Sequence, residues 1–409
     1  MKALYNLPKK VIFCSNCVYS NQRPASIPEF LHKPSRVGAR YLKMKQINNQ
    51  NKYICDACLV NEIKEKIDWK KREKELEALL NKYRSKTGNY DCVVPGSGGK
   101  DSVYTSHLLK YKYGMNPLTV TWPPILYTTY GYENYKNWLQ IGGFDNITFK
   151  QNGHIQRLLT KLSIKNLLHP FQTFILGQKN IGPRIAAKYK IPLVFYGEAE
   201  AEYGNPIQEL TSMRDTSYWL QKNSNFFFLA GLPIKNLIKD YKLKIGDLKP
   251  YLPLEKNEIE EKIEVHYLGY YKKWVPQESY YYSVEHSNFK ARPFRTQGTY
   301  SKYSSIDDKI DDLHYYTTYI KFGIGRATYD ASQEVRNKHL TREEAVKLVS
   351  RYDGEFPDKY LNDVLNYIGL KKEEFIKLCD KFRSPHLWTK KSNTWRLRHT
   401  VSKTGTDDE

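Results

Sequence analysis

The sequence predicts an α/β protein: a parallel sheet covered by helices, preceded by a cysteine-paired segment and followed by a mainly helical region. Three observations lead there. From Tyr90 to Tyr196, short apolar runs alternate with helix-length segments, in units that suit strand–helix–strand crossovers. Ahead of them stand two Cys-x-x-Cys pairs, Cys14/Cys17 and Cys55/Cys58. Beyond residue 340, three amphipathic stretches follow one another. With 409 residues, of which 40% are apolar and 27% charged, the chain can bury a real core.

Taken in order, residues 1–60 read as irregular, with Pro8, Pro24, Pro28 and Pro34 between the cysteines. Asp68–Lys86 carries Leu76, Leu79, Leu80 and Tyr83 on one side, an amphipathic helix that Thr87-Gly88-Asn89 ends. Asp91–Val94 is a buried-strand candidate, and a Gly-rich turn leads from it into a helix over about Asp101–Tyr113. Leu118–Trp122, Ile147–Phe149 and Leu193–Tyr196 read as strands. Glu133–Gln140, His154–Leu167 and Phe171–Tyr189 read as helices between them. Past Gly197 the pattern loosens, and the tyrosine-rich runs Tyr280–Tyr282 and Tyr315–Tyr319 read as loops. Helices return at Thr341–Tyr352, where Thr341 and Glu344 form a capping box, then at Asp358–Ile368 and Lys371–Phe382. From Lys390 the chain is expected to fray.

Composition narrows the function classes. Sixty-five basic and 44 acidic side chains give a net charge of +21, and residues 1–89 alone hold 19 basic against 8 acidic. Such a region permits nucleic acid, an acidic partner or anionic metabolites, and a solvated lysine-rich surface explains it as well. The longest apolar run, around Phe226–Leu232, is too short to span a bilayer, so membrane insertion is not expected. The basic start lacks the apolar stretch of a secretory signal. Six cysteines, four of them in two matched pairs, point to a metal site in a reducing compartment, and the expected location is cytoplasmic.

Four constellations could carry chemistry. In Pro95-Gly96-Ser97-Gly98-Gly99-Lys100-Asp101-Ser102, glycines let backbone N–H groups approach an anion where a helix N-terminus adds favourable charge. Lys100 adds a cation, and Asp101 can hold Mg²⁺ on phosphates. The spacing matches neither GxxxxGK[ST] nor GxGxxG. Cys14, Cys17, Cys55 and Cys58 supply two knuckles for one tetrahedral Zn²⁺, and a closed four-thiolate site is structural. Cys92 and Cys379 read as small core residues. Glu198, in Gly197–Gly204 after a strand, faces the cleft where open α/β sheets bind ligands, whereas Glu200 and Glu202 read as solvated or structural. Finally, Lys321 and Arg326 flank glycines in Lys321–Thr328, followed by Asp330, Glu334 and Arg336, a pattern that suits an anion such as pyrophosphate or a substrate carboxylate.

The Gly-rich turn resembles the PP-loop of the N-type ATP pyrophosphatases. The ordered set of CSNC, CDACL, SGGKDS, Gly197–Gly204, KFGIGRATYDASQEVR and HLTREEAVKLVSRYDGEFP resembles the N-acetyl sugar amidotransferases of bacterial surface-glycan and flagellin-glycan biosynthesis, over residues 14–357. The resemblance implies an adenine nucleotide alpha hydrolase-like domain at 89–260, a zinc ribbon at 1–66, a connecting helix at 67–88 and a substrate or partner region at 261–409. It also implies ATP and Mg²⁺ at Ser97, Gly98, Gly99, Lys100, Asp101 and Ser102, with Lys100, Asp101 and Glu198 catalytic and Lys321 and Arg326 on pyrophosphate or substrate.

The implied reaction converts an N-acetyl group, as in pseudaminic or legionaminic acid or lipopolysaccharide sugars, to an acetamidino group, releasing AMP and pyrophosphate. The sequence holds no recognisable glutaminase nucleophile, so the resemblance implies a separate HisH-like glutaminase, with or without a HisF-like protein. Nucleic acid is not expected as a partner, although a PP-loop tRNA-modifying enzyme, a thiolase or lysidine-type ligase, is the competing reading. A zinc-ribbon nucleic-acid binder is a weaker one, since a degenerate loop would be expected to lose Asp101 or a glycine.

Overall fold

The computed structural model describes residues 1–25, 40–47, 51–198, 200–205, 210–221 and 227–403. Pro28, Pro34 and the last six residues lie outside these, as does the side chain of Glu200.

The cysteine segment is less irregular than its prolines predict. Pro24–Ala25 (β1) pairs with Arg40–Tyr41 (β2), and Met44–Gln46 (β3) pairs antiparallel with Tyr53–Cys55 (β4). Helix α1, Asp56–Lys64, starts directly on Cys55. Helix α2, Trp69–Tyr83, is capped by the Asp68 carboxylate, which accepts from Lys71 N. Its fully buried Leu76 and Leu80 pack beside Cys92 and Val94 of the central sheet.

That sheet has five strands, all parallel: β5 (Cys92–Pro95), β6 (Pro117–Thr121), β7 (Asn146–Thr148), β8 (Leu193–Tyr196) and β13 (Glu264–Tyr267), in the order β13-β8-β5-β6-β7. All but β7 are largely buried, as strands covered on both faces must be. The covering helices are α3 (Lys100–His107, continued by a π-helical turn to Lys112), α4 (Thr129–Gln140), α5 (Gly153–Leu167) and α6 (Gln172–Tyr189). Between β8 and β13 lie two-residue strands β9–β12 (from Leu220 to Glu255) and short helices α7 (Ile234–Tyr241) and α8 (Ile245–Leu248). Strand β13, which the sequence reading did not mark, extends the sheet on the β8 side. Chain direction therefore diverges between β5 and β8, the place where open α/β sheets leave a crevice at the strand carboxyl ends.

The C-terminal region is mainly helical: α9 (Leu268–Tyr271), α10 (Pro276–Ser287), α11 (Asp311–Phe322), α12 (Arg326–Arg336), α13 (Arg342–Tyr352), α14 (Asp358–Ile368) and α15 (Lys372–Phe382). Both tyrosine-rich runs expected as loops are helical. Pro276 at the first helical position pre-sets α10, Tyr280 stacks on Tyr303 and Tyr282 meets Tyr104 edge-on. In α11, Tyr316 and Tyr319 pack against Phe356 and Trp388. The expected capping box of Thr341 and Glu344 is present. The fraying expected from Lys390 is corrected: Trp388–Lys391 (β14) pairs with Thr394–Leu397 (β15), and the buried Trp388 indole donates to Ile320 O at 2.8 Å.

Candidate functional site

The site grows from the turn between β5 and α3. Gly98 has φ +85°, and a Cβ there would meet Tyr135 Cα at 2.6 Å, so only glycine lets this turn lie against α4. A Cβ at Gly96 would strike Ser102. Gly99 is the extended residue before α3, which leaves the first N–H groups of that helix facing the turn. Ser102 Oγ donates back to Gly99 O at 2.9 Å, while Ser97 Oγ reaches out to Asp307 at 2.8 Å.

Two cavities share this turn. The smaller, about 310 Å³, lies at the carboxyl ends of β5, β6 and β8 with Val120, Trp122, Ile175 and Ile181 as apolar walls. Arg214 lies across its Tyr196 ring at 3.9 Å. The larger, about 420 Å³, opens on the other side and is walled by α11, α12 and the segment before α11, with Tyr303, Asp307, Tyr315, Arg326 and Asp330 on it. Ser97, Gly99, Asp101 and Glu198 line both.

Asp101 is held at both oxygens: the Trp274 indole donates to Oδ1 at 2.9 Å, and Lys100 pairs with Oδ2. Glu198 follows β8, and its carboxyl is pushed up to about 7, chiefly by burial and then by the negative charge of Asp101, against the pull of Lys100. Tyr203 donates to it at 3.4 Å. Across the larger cavity, Arg326 at the start of α12 pairs with Asp330 at 3.0 Å and with the Tyr315 hydroxyl. Thr299 also donates to Asp330, at 2.7 Å. Asp353 accepts from Gly325 N and Thr328 N, fixing the entry of α12, and burial pushes its carboxyl up to about 6. His314 lines the cavity, and burial, with the neighbouring His169, Lys321 and Arg326, holds its imidazole well below the usual histidine range.

Of the residues marked in the sequence, the fold gathers Ser97, Gly98, Gly99, Lys100, Asp101, Glu198 and Arg326 on the larger cavity and Ser102 on the smaller. It separates Lys321 from them. That ammonium is 2% exposed, sits among core residues and donates to Leu167 O at 2.8 Å, because Gly323 ends α11 before Arg326 begins α12. Arg336, three turns along α12, likewise leaves the cleft for the cysteines. Glu202, read as solvated or structural, is buried and paired with Lys64 at 2.6 Å. Trp274, Asp307, His314, Tyr303 and Tyr315 belong to none of the constellations marked in the sequence, and they meet at the cavity only through the packing of segments distant along the chain.

The four N-terminal cysteines meet. Their sulfurs lie within 4.8 Å of one another, all buried, with Cys14–Cys58 at 3.8 Å and Cys17–Cys55 at 3.7 Å. A tetrahedron with Zn–S bonds of about 2.3 Å has edges of about 3.8 Å, so the set fits zinc and could hold it as a structural metal ion. The Arg342 guanidinium donates to Cys14 O and Cys17 O, and Arg336 lies close enough for its charge to be felt by three of the thiols. Cys92 and Cys379 are buried apart from this group.

Residues 297–402, which include α12 and its cavity face, match the family of the C-terminal domain of WbpG-like LPS biosynthesis proteins. The match supports an LPS-related family for this part of the chain. An uncharacterized protein of the archaeon Methanocaldococcus jannaschii, MJ1599, is 42% identical over 76 residues, or 19% of this chain. The matched stretch spans 27% of that protein's length.

Proposed function

We propose that the protein is an ATP-dependent amidotransferase that converts an N-acetyl group of a bacterial surface-glycan sugar into an acetamidino group, with AMP and pyrophosphate as co-products. One observation carries this reading: a Gly-rich, helix-opening turn stands between two cavities of unlike lining, with Asp101 on both and Lys100 on the larger. The likeness of residues 297–402 to an LPS biosynthesis domain supplies the glycan context. In this reading the turn is a PP-loop.

The cavity beside Trp122 takes the adenosine against its apolar walls, and the N–H groups of Ser97, Gly98 and Gly99, with the Ser102 hydroxyl, take the phosphates. Asp101 and Glu198 suit Mg²⁺: the negative charge of Asp101 raises the cost of ionising Glu198, which a cation between them would relieve, and when bound it offsets phosphate charge. The hydroxyl-rich cavity of Tyr303, Tyr315 and Arg326 takes the sugar. Its acetamido oxygen attacks the α-phosphorus as the bond to the β-phosphate oxygen breaks, and Lys100 exchanges Asp101 for the departing pyrophosphate. Ammonia then forms the new C–N bond, AMP leaves with the former amide oxygen, and the nitrogen loses a proton. Ammonia comes from a separate HisH-like glutaminase, with or without a HisF-like protein, in the cytoplasm.

The test incubates the protein with MgATP, ammonium chloride and a panel of N-acetylated sugars, following AMP and pyrophosphate by chromatography and the sugar by mass spectrometry. AMP release that needs both sugar and ammonium, with one oxygen exchanged for NH, is the expected result. Turnover that needs tRNA in place of sugar would overturn it in favour of RNA modification.

A further inference from the structure

The cysteine knuckle and the larger cavity are joined by two sets of buried polar contacts. Helix α1 begins on Cys55, carries Cys58 and ends at Lys64, a lysine only 4% exposed. The Lys64 ammonium donates to Glu202 Oε2 at 2.6 Å and to the backbone oxygen of Trp274 at 2.5 Å. Trp274 in turn donates its indole N–H to Asp101 Oδ1 at 2.9 Å. Helix α12 makes the second connection. Arg326 and Asp330 line the cavity near its start, Tyr329 meets Tyr19 edge-on, and at its end Arg336 donates to Glu202 O at 3.2 Å while its own carbonyl accepts from Asn61 of α1.

A buried ion pair is a poor way to gain stability, since an apolar pair of similar volume serves as well or better. Its advantage is orientation. Lys64 has its charge balanced by Glu202, so what it adds at the Trp274 carbonyl is a fixed height and direction for the residue that holds Asp101. Lys100, by contrast, reaches the other oxygen of Asp101 from an adjacent position and is free to exchange it for a phosphate.

We propose that the knuckle is the bracket that sets the catalytic cleft: through Lys64 and Trp274 it fixes the carboxylate of Asp101, and through α12 it fixes Arg326 and Asp330 opposite. Trp274 and Lys64 are then positioning residues. This rests on the reading of the turn as a nucleotide site with Asp101 toward Mg²⁺, and the test separates the two. Binding of a fluorescent N-methylanthraniloyl ATP is titrated with and without Mg²⁺. Trp274→Phe keeps an aromatic ring at this buried position but removes the indole N–H together with the pyrrole half of the ring system.

The expected result is a roughly tenfold weaker Mg²⁺-dependent affinity in Trp274→Phe with Mg²⁺-free binding little changed, a selective loss that the lower melting temperature of the smaller ring does not itself produce. Lys64→Met combined with Glu202→Leu, which removes both members of the ion pair together, should show the same selective loss. Chain stripped of its cysteine-bound metal and given Mg²⁺ should show it too, and regain affinity when zinc is restored. A lower melting temperature with the Mg²⁺ dependence intact would make these contacts merely structural and overturn the proposal. Absence of any Mg²⁺-dependent binding by the unaltered chain would overturn the nucleotide reading first, and the bracket with it.

Discussion

The two cavities that share the Gly98 turn are built by different rules. The smaller one draws every lining residue from Pro95 to Arg214, within the strand–helix alternation and its immediate sequel. The larger one needs the turn, α4, the end of β8, Trp274, α11 and α12, which span Ser97 to Gln333. A crevice at a strand divergence follows from sheet topology and backbone geometry, so it comes with the fold. A cavity closed by helices from a later segment exists only once long-range packing has set them. In the proposed function, the difference separates the crevice that takes the nucleotide from the part that selects the acceptor.

Substitutions can test that division. The largest effect is expected at the shared junction: Asp101→Asn should lower sugar-dependent pyrophosphate release by at least about a hundredfold, with the fold intact by circular dichroism. A smaller effect confined to one cavity is expected from Gly177→Ala. Its Cβ would fall 2.1 Å from the Trp122 ring and push that ring into the smaller cavity, raising KM for ATP more than KM for the sugar. Equal rises in both would break the distinction.

Next comes Glu198. Its folded-state carboxyl titrates at about 7 against an ordinary value of 4.5, so between those pH values the folded chain holds the extra proton and stability falls as pH rises. Glu198→Gln should therefore be more stable than the unaltered chain at pH 8, on the order of 2 kcal/mol in urea denaturation, with the gap closing toward pH 4.5. A gap independent of pH would place the cause elsewhere. The smallest catalytic effect is expected at Lys321. Lys321→Met should change KM for either substrate by less than about twofold, whereas Arg326→Met should raise KM for the sugar roughly tenfold. Equal effects would return Lys321 to the cleft.

The comparison also explains what could be read in advance. The Gly-rich turn was legible because positive φ, close backbone approach and a helix start leave few residue choices. The cysteine set was legible because Cys-x-x-Cys fixes two ligands locally, and the sulfur geometry now agrees with one metal ion. Strands β5 to β8 were legible from their apolar runs. The tyrosine-rich helices were missed because their buried faces are aromatic and hydroxylated rather than aliphatic, which dilutes the helical period. Strand β13, four residues with Glu264 and His266 in it, gives no apolar run at all, and it is recognisable only by its pairing with β8.

Sequence alone determined the sheet-forming segments, the Gly-rich turn and the four cysteines that could hold a metal ion, because each depends on backbone freedom or on residues a few positions apart. Tertiary structure alone decided that Arg326 faces the cleft while Lys321, five residues earlier, is spent on a buried carbonyl. It likewise decided that Trp274 supports Asp101 and that Lys64 ties both to the cysteines. Those assignments depend on how helices from distant segments turn about their axes when they pack, and no local pattern of residues encodes that rotation.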